Sequence, residues 1–168
     1  GADASQRATV PVLVEAGSGR VVLGESARLI ELLNQWPTAA PTHDLAPEAL
    51  IPEITRWREL LQGAVNDGVY RCGFARNQAA YDRAETSLFE VLGSANTALG
   101  SGNPWLSGPD LSLADVVLFP TLIRLELVYA PLFGCSRLPL WQLPDLWAWR
   151  SRFYGLPGVA DTCCDHAW

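Results

Sequence analysis

One stretch restricts what this 168-residue chain can fold into more than any other: Leu111 to Phe133, LSLADVVLFPTLIRLELVYAPLF. Ser112 followed three residues later by Asp115 has the form of a capping box, in which the hydroxyl accepts from a first-turn amide and the carboxylate reaches back to the amide of Ser112. Leu111 and Val116 flank the box where a hydrophobic staple sits. Beyond it Val116, Val117, Leu118, Phe119, Leu122, Ile123, Leu125, Leu127 and Val128 form an apolar set too wide for a one-faced surface helix, which predicts a helix surrounded by others. Asp115, Pro120, Arg124 and Glu126 interrupt the roughly 20 apolar residues that a bilayer span needs, so the stretch reads as a core pillar and no membrane is expected. Pro120 should kink it.

With 49% hydrophobic residues the chain has ample material for such a core. Its net charge of −6 comes with no lysine- or arginine-rich run, which removes the electrostatic footprint of a nucleic-acid or anionic-membrane binder and leaves small molecules and other proteins as partners. The cysteines at 72, 135, 163 and 164 have neither metal-ligand spacing nor the density of a disulfide scaffold, so no metal site is expected. A reducing, cytoplasmic-type compartment follows from the same count. The chain has no methionine and opens with Gly1-Ala2-Asp3-Ala4-Ser5, the mark of a processed or excised product, without the pattern of a signal peptide.

Thr9 to Glu15, then Gly17-Ser18-Gly19, then Arg20 to Leu23 predict a short hairpin. Pro11 would remove a ladder donor, so either this strand is an edge or the Val10–Pro11 bond is cis; both leave the backbone of Val10 open to a ligand. Glu25 to Gln35 has apolar residues at helical spacing, with Glu25 and Ser26 at an amino end able to hold an anion or simply to cap. Trp36 to Pro47, with Pro37, Pro41 and Pro47, is a linker in which His43 reads as a solvated residue. Everything later reads as helix: Ala49–Val65, Asn77–Leu99, the pillar after a Gly100–Pro109 loop, and Trp141–Tyr154, capped by Asp145 and ended by Gly155 and Pro157. Seven tryptophans point to large apolar contacts between helices. The division is 1–36, a ββα segment; 37–47, a linker; and 48–168, a helical domain.

The order of a proline-bearing hairpin, Glu-Ser opening a helix, a linker and a helical region with a Ser-x-x-Asp box resembles glutathione transferases. Three segments are more specific: Asn66-Asp67-Gly68-Val69-Tyr70-Arg71-Cys72-Gly73-Phe74-Ala75; Phe119-Pro120-Thr121-Leu122-Ile123-Arg124 with Val128-Tyr129; and Pro144-Asp145-Leu146-Trp147 with Tyr154 and Pro157-Gly158-Val159-Ala160. From about Thr9 to His166 the chain is similar to the glutathionyl-hydroquinone reductases, the Xi class. The resemblance implies a mostly α fold, in which a glutathione-transferase-like helical C-terminal domain follows a partial thioredoxin-like ββα piece. It implies that Val10 and Pro11 pair with the backbone of glutathione as co-substrate, while Glu25 and Ser26 hold its γ-glutamyl end, a placement that helix-terminus electrostatics favours. Tyr70, Tyr129 and Tyr154 would line the pocket for a hydroquinone-like aromatic, as catalytic phenols donating to a developing phenolate. A buried ring with a satisfied hydroxyl is the competing reading, above all for Tyr129 and Tyr154. A homodimer through the helical domain is also implied.

The family's nucleophilic cysteine lies in a Cys-Pro-Trp segment that these 168 residues do not contain. Thiol transfer needs a thiolate, and Cys72 beside Arg71 reads as a buried structural cysteine, while adjacent Cys163 and Cys164 are either a vicinal disulfide or plain exposed thiols. Gly24 and Glu126 also depart from the family's usual asparagine and aspartate. Two readings follow. In one, the chain is the carboxy-terminal two thirds of a glutathione-dependent reductase, active only with the missing cysteine segment; in the other, it is a non-catalytic helical docking or dimerisation module. The expectation is that this chain alone lacks thiol transfer.

Overall fold

The computed structural model describes residues 10–37 and 43–163. The chain divides into two compact units, Gly1–Leu45 and Ala46–Trp168. The first is a ββα piece. Strand β1 (Leu13–Val14) pairs antiparallel with β2 (Val21–Leu23), Leu13 opposite Leu23 and Val14 opposite Val21. The strand expected from Thr9 is therefore much shorter. Pro11 has no amide to give to a ladder, the Val10–Pro11 bond is cis, and pairing begins only beyond Val12; Thr9 lies outside the described residues. The turn closes through Glu15, whose amide donates to Arg20 O (2.9 Å) and whose carbonyl accepts from Gly19 N (2.8 Å), with Gly19 at φ 66.

Helix α1 (Ser26–Asn34) follows, with Glu25 at the cap position. None of its residues is fully buried, since a two-stranded hairpin has too little surface to cover a helix face. Asn34 ties the far side of the linker back to it: Nδ2 donates to Asp44 Oδ1 and Oδ1 accepts from Leu45 N, both at 2.9 Å. Within that linker, residues 38–42 lie outside the described residues.

The second unit is helical. α2 (Ile51–Leu61) takes Pro52 in its first turn, where a missing amide costs nothing. It runs into a π turn, Gln62–Asn66, in which Asp67 N donates to Gln62 O at 3.0 Å, and then into α3 (Gly68–Gly73). α4 (Gln78–Gly100) is capped by Asn77, whose Oδ1 accepts from Ala80 N at 2.9 Å. The pillar is α5 (Leu113–Arg124), a second π turn (Leu125–Tyr129) and α6 (Ala130–Phe133), stopped by Gly134 in the left-handed region at φ 72. Pro120 lies inside α5, and the π turn begins five residues further on at Leu125, where Ala130 N donates to Leu125 O.

Leu113–Phe133 is one helical run of 21 residues, long and apolar enough to cross a membrane, so the interrupting charges do not deny it that length as the sequence argument held. Part of its apolar surface is taken up by protein, Leu113, Leu118, Leu122 and Leu125 being buried, while Leu127 (59%) and Leu132 (71%) face outward. α5 packs on α2 and α7, α4 packs on α3 and α7, and the core joins Trp57, Leu61, Leu92, Leu118, Leu122, Leu146 and Trp149. Phe119 stacks on Phe153 with centroids 4.3 Å apart. Trp57, Trp105 and Trp149 make the expected large contacts, whereas Trp141 is 61% exposed.

The capping box is present, and it reaches further than the sequence suggests. Asp115, fully buried, accepts from Ser112 N (3.0 Å) and Ser112 Oγ (2.8 Å) on one oxygen, and from Leu106 N (3.0 Å) and Trp149 Nε1 (2.8 Å) on the other. Burial pushes its carboxyl above the usual range, against the pull of those hydrogen bonds. One side chain thereby joins the preceding loop, α5 and α7.

Helix α7 (Pro144–Tyr154) follows a short 3₁₀ turn, Leu140–Gln142. Asp145 does not cap it. The cap comes from another helix: Asn96 Oδ1, on α4, accepts from Asp145 N (3.0 Å) and Leu146 N (3.1 Å). Leu143 holds the cap position and has no oxygen to offer, so the orphan amides take the nearest acceptor in space.

Candidate functional site

Tyr70 and Tyr129 come together. Tyr70 projects from α3, a six-residue helix whose entry is fixed by Asn66: Nδ2 donates to Val117 O (3.2 Å), and Oδ1 accepts from Thr121 Oγ1 (2.8 Å) on α5. Tyr129 closes the second π turn. Their hydroxyls lie 3.2 Å apart and their rings meet edge to face, with centroids at 5.7 Å and an interplanar angle of 70°. A pair of phenols holds two protons; one is spent between the two oxygens, and the other remains for an outside acceptor.

Two rings that the sequence reading does not assign to the site complete the cluster. Phe74 stacks on Tyr70 (6.4 Å), Phe133 on Tyr129 (5.8 Å), and the two phenylalanines meet at 5.5 Å. The spacing carried the signal: Tyr70/Phe74 and Tyr129/Phe133 are each four residues apart, which puts each pair on one helix face. Tyr129 is buried, while Tyr70 is 47% and Phe74 72% exposed, so the cluster has a closed back and an open aromatic front. Burial first, and then the Tyr70 hydroxyl, push the Tyr129 phenol up to about 12, so that it stays a neutral donor near pH 7.

Tyr154, the last residue of α7, is not brought to that pair: among the described residues it forms neither a ring contact nor a hydrogen bond with Tyr70 or Tyr129. Neither buried thiol is poised as a nucleophile. Burial pushes Cys72 up and takes Cys135 to about 12, and Arg71 turns away from Cys72 toward Gly63 O (2.9 Å) and Asp67 (3.7 Å). Cys163 is a free, half-buried thiol, and Cys164 lies outside the described residues. In the first unit, Val10 is 91% exposed beside the cis proline, and Glu25 and Ser26 open α1 as expected. Among the described residues no group of three or more His, Cys, Asp or Glu side chains could hold a metal ion.

A helical unit built on a Ser-x-x-Asp box, preceded by a ββα piece with a cis proline, is the construction of a glutathione transferase: residues 78–154 match the family model for the glutathione S-transferase C-terminal domain. The chain belongs to the glutathione S-transferase superfamily. Within it, the chain is similar to the glutathionyl-hydroquinone reductase YqjG of Escherichia coli, 36% identical over 160 residues that cover 94% of this chain and 48% of that protein. The glutathione-bound structure of YqjG superposes with a TM-score of 0.88 at 35% identity, covering 95% of this chain and 52% of that one. Glutathione transferase Xi 1 of Trametes versicolor gives 0.90 at 33% identity, covering 98% and 58%. The chain thus spans about half the length of the curated relatives it matches.

Proposed function

We propose that this chain supplies the aromatic-binding half of a glutathione-dependent enzyme that reduces glutathionyl-hydroquinones by thiol transfer. The observation that carries the reading is the Tyr70–Tyr129 hydroxyl pair, 3.2 Å apart inside a four-ring cluster with an open front, in a chain of this superfamily. The hydroquinone ring packs against Tyr70 and Phe74. The substrate reacts as its keto tautomer, with the proton already on the carbon that bears sulfur; as the thiolate takes the sulfur, the C–S electron pair moves to the ketone oxygen, and the free proton of the pair goes to that oxygen to give the hydroquinone. The buried hydroxyl polarises its neighbour, which strengthens that donation. The resemblance places Tyr154 in the same set, but the proposal stands on Tyr70 and Tyr129.

For glutathione, the open backbone of Val10 beside Pro11 offers an amide and a carbonyl to an extended peptide, and Glu25 with Ser26 suits the ammonium and carboxylate of a γ-glutamyl group. Thiol transfer further requires a thiolate to take the glutathionyl sulfur, release the hydroquinone, and be regenerated by a second glutathione. Among the described residues Cys72 and Cys135 do not fit that role, being buried with raised pKa values. By the family resemblance the nucleophile is the cysteine of a Cys-Pro-Trp segment, a motif that these 168 residues do not contain. A reducing, cytoplasmic-type compartment, a homodimer through the helical domain, and a division at the 37–47 linker belong to the same proposal. The same raised thiols favour, as a second reading, a module that binds without turnover.

The test is an NMR titration of the chain with S-glutathionyl-hydroquinone. The expected result is a saturable shift of the Tyr70 and Tyr129 ring signals that weakens in Tyr129→Phe. Ring signals that do not respond at millimolar ligand refute the reading.

A further inference from the structure

Gly73, the last residue of α3, has a backbone outside the left-handed region, so nothing in its φ demands glycine. What demands it is space. A Cβ at this position would lie 2.3 Å from both Cγ and Cδ1 of Phe133, and 2.9 Å from Cδ2. The Phe133 ring therefore rests directly on the α3 backbone. From that seat it touches every other ring in the cluster: Tyr70 at 5.8 Å, Phe74 at 5.5 Å and Tyr129 at 5.8 Å between centroids.

We propose that Gly73 and Phe133 form a ring seat that sets the mutual geometry of the Tyr70–Tyr129 phenol pair, which makes both of them positioning residues for the aromatic site. The proposal rests on the reading of that site given above. α3 and α6 approach each other here, and the two phenols leave the chain within a turn of the seat: Tyr70 three residues before Gly73, Tyr129 four before Phe133. A ring cannot be compressed, so a methyl at 73 has to be met by moving Phe133, or by moving α3 away from α6. Either displacement separates the 59-residue sequence gap that the hydroxyl pair bridges. At 3.2 Å the hydroxyl pair already lies just beyond the usual O–H···O range, so a further separation of about 0.5 Å breaks it.

The test is a double-mutant cycle read in two ways. Gly73→Ala should lower the thermal midpoint of the chain, whereas in a Phe133→Ala background, where the ring is gone, the same change should be neutral or raise it, because alanine is the better helix residue. The second readout is the ¹³Cζ resonance of Tyr129 near pH 7, which senses the phenol hydrogen bond. In Gly73→Ala and in Phe133→Leu it should move toward the position it takes in Tyr70→Phe. If Gly73→Ala does not fold, the Phe133→Leu spectrum and the Gly73→Ala/Phe133→Ala double variant still decide the matter. An equal cost of Gly73→Ala in both backgrounds, or an unmoved Tyr129 resonance in Phe133→Leu, overturns the seat. Failure of the unaltered chain to bind S-glutathionyl-hydroquinone, with both seat readouts as expected, overturns the aromatic-site reading and the site role of Gly73 with it.

Discussion

Removing the Asp115 carboxylate should be among the most damaging single changes in the helical unit. Asp115→Ala strands three donors at once: the amides of Leu106 and Ser112 and the indole N–H of Trp149. The Ser112 hydroxyl is spared, since Ser107 Oγ stands 3.2 Å away. A stranded buried donor costs about 1–3 kcal/mol, so the gross loss is roughly 3–9 kcal/mol. Against it stands the relief of a buried charge, whose desolvation already raises the carboxyl pKa; a net loss of about 3–5 kcal/mol remains. For a domain of this size that lowers the midpoint by roughly 10–20 °C. Asp115→Asn keeps one acceptor oxygen for Leu106 and Trp149 but turns an amide donor toward Ser112 N, so it should cost less, about 1–3 kcal/mol. Urea denaturation followed by circular dichroism and tryptophan fluorescence measures both. The cycle with Trp149→Phe should show a coupling of about 0.5–3 kcal/mol, because the two side chains share a buried bond. An Asp115→Ala chain that unfolds within about 1 kcal/mol of the parent would refute this account of how the loop, α5 and α7 are joined.

Alkaline pH should weaken the fold. Tyr129 and Cys135 hold their protons to about 12 when folded, while the unfolded chain releases them near 10 and 9, so their contribution is complete below pH 9 and falls as pH rises toward 12. The loss is up to about 1.4 kcal/mol per pH unit for each group, measurable as a falling urea midpoint between pH 8 and 11. Asn96→Ala removes the cap that α4 lends to α7 and should cost about 1 kcal/mol in the same assay, with Asn96→Asp nearly neutral. Tyr70→Phe removes the hydroxyl that pairs with the buried Tyr129 and should cost about 0.5–1.5 kcal/mol, the net worth of one hydrogen bond, while weakening aromatic binding at least severalfold in the NMR titration.

Much of the helical unit was legible because its apolar residues recur at helical spacing and some of its ends carry punctuation: Pro52 in a first turn, Ser112 at a cap, Gly155 at a stop. The cap of α7 was not, since Asn96 acts from 49 residues away and only the packing of α4 on α7 brings it there. Strand β1 was overread because β-branched composition says nothing of where pairing can begin next to Pro11. In the site, family resemblance led to Tyr70 and Tyr129, which meet, and to Tyr154, which does not join them. Phe74 and Phe133 were missed although their spacing to the tyrosines was visible, because a helix-face pair announces its partner across the fold only after folding.

The π turns at Gln62–Asn66 and Leu125–Tyr129 have a consequence for how this protein can change over time. Each holds one more residue than an α turn, and one residue is about 100° of rotation for everything beyond it. Tyr70 and Phe74 lie downstream of the first, Ala130 to Phe133 downstream of the second. The aim of the aromatic rings is therefore set by arithmetic as much as by chemistry. A lineage that dropped a single residue from either turn would keep every ring in its sequence and lose their meeting point.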